Sequence, residues 1–342
     1  MRADSRIRLR TISSMVSVVC TLTLGLGVAP AVGAGDLWVT KTTDDTGPCV
    51  PGDCSLRAAV LAANTSAGND TIHLPQGTFT LSIAGVGEDA AATGDLDLVE
   101  SGAWTRVLGE GPGVTIIDAQ GVDRVFHVLP GVCATFKGLT ITGGGNPFQG
   151  GDGGGGIWFE GAQMYVESCE VTGNTTGATS GLYGGGINVS SASSLTSVHA
   201  CTVSDNSATA GGGGYAVRNT AIGDVQYSTF SGNSAPYGGA LFVEGLSHVS
   251  TVTISGNHST EGATGVFVLG EASLQQVTLF EPYDFAILSG LQGQVGLRNC
   301  VIVGQCSSIG TWETGGGNVE SPGDTCHLGS SDLSNVADTL IG

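Results

Sequence analysis

The feature that most limits how this chain can fold is a short apolar pattern that returns along most of its length. Apolar or small residues stand at positions i, i+3 and i+5 as Phe136/Leu139/Ile141, Val166/Cys169/Val171, Val198/Cys201/Val203 and Val225/Ser228/Phe230. The pattern goes on as Val249/Val252/Ile254, Leu274/Val277/Leu279 and Leu297/Cys300/Ile302, with first positions 30, 32, 27, 24, 25 and 23 residues apart. The step from i+3 to i+5 is the alternation of a strand, with both side chains facing inward. The step from i to i+3 breaks that alternation and implies a corner or bulge in front of the strand. A helix would need i, i+3, i+4 and i+7 instead. One such unit cannot bury its own apolar face, so the copies must stack. At about 4.8 Å between parallel strands, six steps span roughly 29 Å.

Two further recurrences place the corners. A pair of glycines, or a glycine and a small residue, precedes apolar-x-apolar at Gly155-Gly156-Ile157-Trp158-Phe159, Gly185-Gly186-Ile187-Asn188-Val189, Gly213-Gly214-Tyr215-Ala216-Val217 and Gly239-Ala240-Leu241-Phe242-Val243. Gly265-Val266-Phe267-Val268 is a looser copy. Glycine at such a place allows positive φ in a sharp corner. Asn174, Asn206, Asn233 and Asn257 each follow the last inward residue by three positions. Asparagine tolerates left-handed turns and can bond its neighbour in the next coil. Each coil is therefore expected to bury two apolar strands. Cys169 and Cys201 fall on one inward stack in adjacent coils, as a thiol pair or as a disulfide. Glycine supplies 58 of 342 residues and charged residues only 12%, a composition suited to strands with tight corners rather than to solvated helices. The expected fold is all-β, a right-handed parallel β-helix.

The amino terminus reads as a secretory signal: Arg2, Arg6, Arg8 and Arg10, an apolar run from Met15 to Val28, then Val32-Gly33-Ala34, with the mature chain starting at Gly35. The run is too short for a permanent bilayer span, and Cys20 within it lacks the small residues of a lipoprotein site. No later segment reads as membrane-spanning. Taking four arginines and Asp4 from 11 basic and 30 acidic residues leaves seven and 29, a net charge of about −22. That sign excludes nucleic acid and anionic membranes as expected partners. Eight cysteines remain, an even number that suits disulfides in an exported chain.

A solenoid must protect its ends. Cys54-Ser55-Leu56-Arg57-Ala58-Ala59-Val60-Leu61-Ala62-Ala63-Asn64 reads as a helix, with Leu56, Ala59, Val60 and Ala63 on one face, Ser55 as N-cap and Asn64 at the end. Thr71 to Pro75 and Gly77 to Leu81 read as the first strands. The start of this run resembles the Cys-Ser-Leu-Arg-Glu-Ala motif that names a group of secreted bacterial β-helix proteins. Asp44-Asp45, Asp70-Thr71-Ile72-His73-Leu74-Pro75-Gln76-Gly77-Thr78, Thr115-Ile116-Ile117-Asp118-Ala119 and Asp123-Arg124-Val125-Phe126 are similar to that group too. The later repeats resemble those of polymorphic outer-membrane proteins. The resemblance implies a pectate-lyase-like solenoid with a short capping helix, export, and either secretion or association with the outer membrane. Ala58 stands where the motif has glutamate. With Ser55 as N-cap that position is N3, so a capping box has been lost, and Ala58→Glu is expected to stabilise the cap by roughly 0.5–1 kcal/mol. Disulfides are expected between Cys49 and Cys54 and between Cys306 and Cys326. The chain is expected to divide into a signal peptide over 1–34, a cap over 35–82, coils over 83–305 and a closing region over 306–342 that resembles only the start of the group's closing region.

Parallel β-helices include polysaccharide lyases and hydrolases, so a site was sought. Glycoside hydrolysis needs two carboxylates across one cleft; a lyase needs a base near a cation. Arg218 with Asp205 and Asp224 is the one acid-base grouping the repeat region offers, on different parts of the coil. Asp118, Asp123 and Arg124 are open to a catalytic reading, but their similarity to the group's pattern implies a structural role, with Asp118 capping a turn and Arg124 pairing with a carboxylate. The glycine run 150–156 has no helix after it, as a phosphate loop would, and no nine-residue calcium period. The histidines show no metal-ligand spacing, and His127, His199 and His248 read as ordinary strand or turn residues. Tyr183 and Tyr237, each ahead of a glycine corner, are the candidates for stacking on a sugar ring. The expectation is a secreted or cell-surface scaffold, adhesive or envelope-associated and non-enzymatic, meeting glycans or cell-surface components. The alternative is a polysaccharide lyase or glycoside hydrolase. No cofactor is expected, and calcium on the acidic wall has no motif behind it.

Overall fold

The computed structural model describes residues 35–145, 153–177, 181–192, 194–321, 323–334 and 336; the expected signal peptide, the start of the glycine run at 150–152 and the last six residues lie outside them. One coil contains three short strands rather than the two expected, for example Ile157–Phe159, Gln163–Glu167 and Glu170–Thr172. Each pairs in parallel with its counterpart one coil on, Ile187–Val189, Leu195–His199 and Thr202–Ser204. The result is a right-handed parallel β-helix with three faces. The second face alone runs through 11 strands, from Asp36–Trp38 to Thr311–Thr314.

Each i, i+3, i+5 triplet spans a corner. Phe136, Val166, Val198, Val225, Val249, Leu274 and Leu297 form one in-register row on the second face. Ile141, Val171, Val203, Phe230, Ile254, Leu279 and Ile302 form the matching row on the third. Both rows are buried in one continuous core. Between them, residue i+2 is left-handed in every coil: Gly138, Ser168, Ala200, Tyr227, Thr251, Gln276 and Asn299 have φ of 51–66°. This single reversal turns the chain from one face to the next, and its backbone N–H still bonds to the adjacent coil, as Thr251 does to the Gln275 carbonyl at 2.9 Å.

The asparagines bond between coils as expected, but their own backbones are not left-handed. That conformation falls on the residue before, Gly173, Asp205, Gly232 or Gly256. Freed from the turn, the side chains form a buried ladder in which Nδ2 of Asn174, Asn206 and Asn233 donates to Oδ1 of the next asparagine at 3.0 Å. Asn257 continues it to Oε1 of Glu281. The glycine pairs also differ from expectation. Positive φ belongs to Gly154, Gly184, Gly212 and Gly238, one residue earlier. The pairs themselves are required by close approach: a Cβ on Gly185 would lie 2.5 Å from the Ser207 carbonyl oxygen and 2.6 Å from that of Gly213.

The helix Leu56–Ala63 covers the first coil, with the Ser55 hydroxyl accepting from the Ala58 N–H. Its four expected apolar residues are all buried. Arg57 is fully buried as well, paired with Asp44 at 2.7 Å and donating to the carbonyls of Ala91, Gly94 and Asp95. Disulfides join Cys49 to Cys54 and Cys306 to Cys326. Cys169 and Cys201 are separate buried thiols, each donating to backbone carbonyls. The sheets begin at Asp36, inside the expected cap, and continue past 305 through Val301–Ser308, Thr311–Thr314 and Val319–Ser321.

Three outcomes follow from this packing. Thr251 is an exposed β-branched residue in a left-handed turn, so Thr251→Gly should stabilise by about 0.5–1 kcal/mol, the relieved backbone strain outweighing glycine's greater freedom when unfolded; a lower melting temperature would contradict the strain. Ala58 is only 2% exposed, so Ala58→Glu would force a carboxylate out of water, and the melting temperature should fall instead of rising as the capping box alone suggested. Burial raises the Glu281 carboxyl above its ordinary value, against the pull of its Asn257 bonds. A raised folded pKa means that stability is complete at pH below the unfolded value and declines as pH rises through the folded one. Glu281→Gln keeps the acceptor for Asn257 and should raise the melting temperature at pH 8 more than at pH 4, which thermal melts across that range would read.

Candidate functional site on the first face

The first-face strands have the pattern inward, outward, inward, so their middle residues form one outward row. In register it runs Asp97, His127, Trp158, Asn188, Ala216, Phe242, Phe267 and Leu288. Although outward, much of it is covered: Asp97 and Asn188 are fully buried, and His127 and Phe242 are 4% exposed. The row is charged at its amino-terminal end and aromatic toward its carboxyl-terminal end.

At the charged end, His127 Nε2 lies 3.2 Å from a Glu160 carboxylate oxygen, and Nδ1 lies 3.3 Å from Asp97 Oδ1 and 3.6 Å from Asp89 Oδ1. Asp97 Oδ2 accepts from the Ala91 N–H at 2.7 Å. Trp158 stacks on the imidazole with ring centres 4.2 Å apart, donates to the Ser190 hydroxyl, and carries the Arg124 guanidinium 4.7 Å above its ring. Arg124 also meets Asp95 at 3.2 Å. Burial raises the carboxyls of Asp95, Asp97 and Asp123, and Asp95 is pushed up to about 8 despite Arg124. Burial works against a charged His127, but Asp97 and Glu160 outweigh it and hold the imidazole above its ordinary value. Such a group of acids, imidazole and indole can hold a cation or move a proton.

At the aromatic end, Tyr183 packs on Phe242 at 4.9 Å, Tyr237 on Phe267 at 5.2 Å, and the two phenylalanines stack at 5.6 Å. This is a second apolar cluster outside the coil core. Tyr183 and Tyr237 are therefore half-buried packing residues as well as sugar-stacking candidates. Arg218 lies 4.1 Å above the Tyr183 ring, with Nε 3.7 Å from Glu244.

The structure does not bring Arg218, Asp205 and Asp224 together. Arg218 follows a first-face strand, Asp224 projects from the second face to His248 at 3.0 Å, and Asp205 occupies the left-handed position before Asn206. Asp118 caps a turn through the Gln120 N–H and Arg124 pairs with a carboxylate, the structural roles expected of them. His127 departs from the ordinary strand residue expected of it. The signal for its cluster was its register: Asp97 and His127 both occupy the middle of an apolar-x-apolar strand, 30 residues apart. Local ligand spacing could not reveal it. Phe242→Ala should cost about 3 kcal/mol by emptying the aromatic cluster; an unchanged melting temperature would mean that the cluster adds nothing to the coils beneath it.

A family model described as a right handed beta helix region matches residues 111–281. No curated protein sequence matches the chain. Among solved structures, ORF18 of Geobacillus virus E2 is similar, with a TM-score of 0.47 and 13% identity over 82% of this chain and 60% of that one. The chain thus spans about 60% of the length of that structure. The family match covers half of the sequence and falls on the stacked coils themselves, so the chain belongs to the right-handed β-helix family.

Proposed function

We propose that this β-helix is a secreted or cell-surface scaffold that binds glycans or envelope components along its side and does not turn them over. The observation behind this reading is the third face, where Thr202, Thr229, Thr253 and Thr278 stand in register, with Ser231 and Ser255 as a second, half-buried row. Equal hydroxyls repeated every 4.8 Å or so suit many weak contacts to an extended polymer, and avidity along such a wall makes weak contacts sufficient. The acidic balance of the chain favours neutral glycans over phosphate-bearing polymers. No helix among the described residues is long and apolar enough to cross a membrane.

One observation favours a carbohydrate-active enzyme instead: Asp97, His127 and Glu160 converge on the first face. Incubating the mature chain with neutral and acidic polysaccharides, with and without calcium, separates the two readings. New reducing ends or unsaturated products, lost in His127→Gln, would establish an enzyme and end the scaffold proposal. Retention on an immobilised glycan without turnover, weakened at least tenfold by Thr229→Val with Thr253→Val, is the expected result.

A further inference from the structure

We propose that Asp89, Asp97 and His127 form a binding site for a divalent transition metal ion of the zinc type. The proposal is independent of whether the wall binds or cleaves glycans.

Three ligand atoms, one imidazole nitrogen and two carboxylate oxygens, converge within 4.8 Å of one another. Four ligands arranged tetrahedrally about zinc at about 2.0–2.1 Å lie about 3.3–3.4 Å apart. The separations from His127 Nδ1, 3.3 Å to Asp97 and 3.6 Å to Asp89, are close to that edge length. The two carboxylate oxygens lie within 4.8 Å of each other, so Asp89, on its exposed loop, would close on an ion held by Asp97 and His127.

A second observation is independent of that spacing. Asp97 Oδ1 and His127 Nδ1 are both buried and make no hydrogen bond among the described residues. Two polar atoms left in this state cost free energy unless something satisfies them. They face one another at 3.3 Å without the alignment of a hydrogen bond, as two ligands of one ion do. Each is fixed from behind. Asp97 Oδ2 takes the Ala91 N–H, which leaves Oδ1 directed at the histidine. His127 Nε2 meets the Glu160 carboxylate at 3.2 Å. Binding of the ion would displace the Nδ1 proton that the surrounding acids otherwise favour, leaving the ring proton on Nε2 and the Nδ1 lone pair directed toward the two aspartates. A carboxylate holding the far nitrogen of a ligating histidine is the usual support of a metal site. Trp158, stacked at 4.2 Å, fixes the ring plane.

The donor set selects the ion. Calcium takes six to eight oxygens, and magnesium keeps most of its water, so neither gains from imidazole. One nitrogen and two carboxylate oxygens suit zinc and its neighbours. Asp89 is the access side, its side chain 67% exposed while Asp97 is fully buried. Three protein ligands leave a fourth position open on that side.

The test uses the full mature chain without a histidine tag, stripped with a chelator. Zinc titrated against a chromogenic competitor is expected to bind with one equivalent and to raise the melting temperature, while calcium at the same concentration does neither. Cobalt(II) should give the visible bands of a four- or five-coordinate site without a sulfur-to-metal band. Asp89→Asn, on the exposed loop, should leave the fold intact and weaken zinc at least tenfold; His127→Gln should abolish the cobalt spectrum. Zinc affinity unchanged in both variants, or calcium binding as well as zinc, would overturn the assignment. A sulfur charge-transfer band would also overturn it by placing the ion on the free thiols Cys169, Cys201 or Cys300.

Discussion

Everything in this molecule depends on lateral hydrogen bonding between coils. A strand of three to five residues has no stable partner within its own coil, so its backbone donors and acceptors are satisfied by the coils on either side. In-register parallel pairing then places like positions above one another for the whole length of the stack. A residue type chosen once becomes a row. Valine and isoleucine rows make the core, asparagine makes a hydrogen-bonded ladder, and aromatic residues make a stack. The same rule makes coil length almost irrelevant: loops between strands can lengthen from coil to coil provided that the register is recovered at the next strand. The early steps of 30 and 32 residues and the later ones of 23 to 25 therefore fit one architecture.

The amino-terminal helix does more than close the apolar end. Arg57 reaches through the cap to the carbonyls of Ala91, Gly94 and Asp95, the stretch that joins the exposed loop of Asp89 to the strand carrying Asp97. Asp44 holds the guanidinium and also accepts from the N–H groups of Ser82 and Ile83. A buried, fully bonded arginine thus couples the cap to the loop beside the charged end of the first face. This gives a physical reason for an arginine in an otherwise apolar helix: the charge organises backbone carbonyls that no apolar residue could satisfy.

What the sequence made legible follows from that rule. Inward rows repeat apolar residues, so the triplets led by Phe136, Val166 and Val198 could be aligned correctly without a structure. The disulfides and the N-cap at Ser55 were also within reach, because each depends on residues close in sequence or on a known motif. The left-handed turn residues were hidden, because the position tolerates Ser168, Ala200, Tyr227, Thr251 and Gln276 alike and leaves no type to recognise. Asp205 was grouped with Arg218 and Asp224 on residue type alone, and its left-handed backbone, at a turn where the other coils have Gly173, Gly232 and Gly256, left no mark in the sequence. The outward row of the first face was the hardest to read. At its charged end no residue type repeats from coil to coil, and nothing local to His127 announces Asp97, which comes from the coil before.

The contrast along that row bears on the proposed ion site. A solenoid gains stability by repeating whatever packs best, and the aromatic end obeys this, with Phe242 and Phe267 stacked and flanked by tyrosines. The charged end breaks it. Asp95, Asp97 and Asp123 are each no more than 2% exposed, and burial raises all three above the ordinary carboxyl range. A hydrophobic row would serve the coil at least as well there, since buried acids are retained against a desolvation cost. Arg124 offsets part of that cost for Asp95, and His127 part of it for Asp97. Neither gives a hydrogen bond to Asp97 Oδ1. A cation held between Asp97 Oδ1 and His127 Nδ1, as proposed above, would supply the partner that this atom lacks.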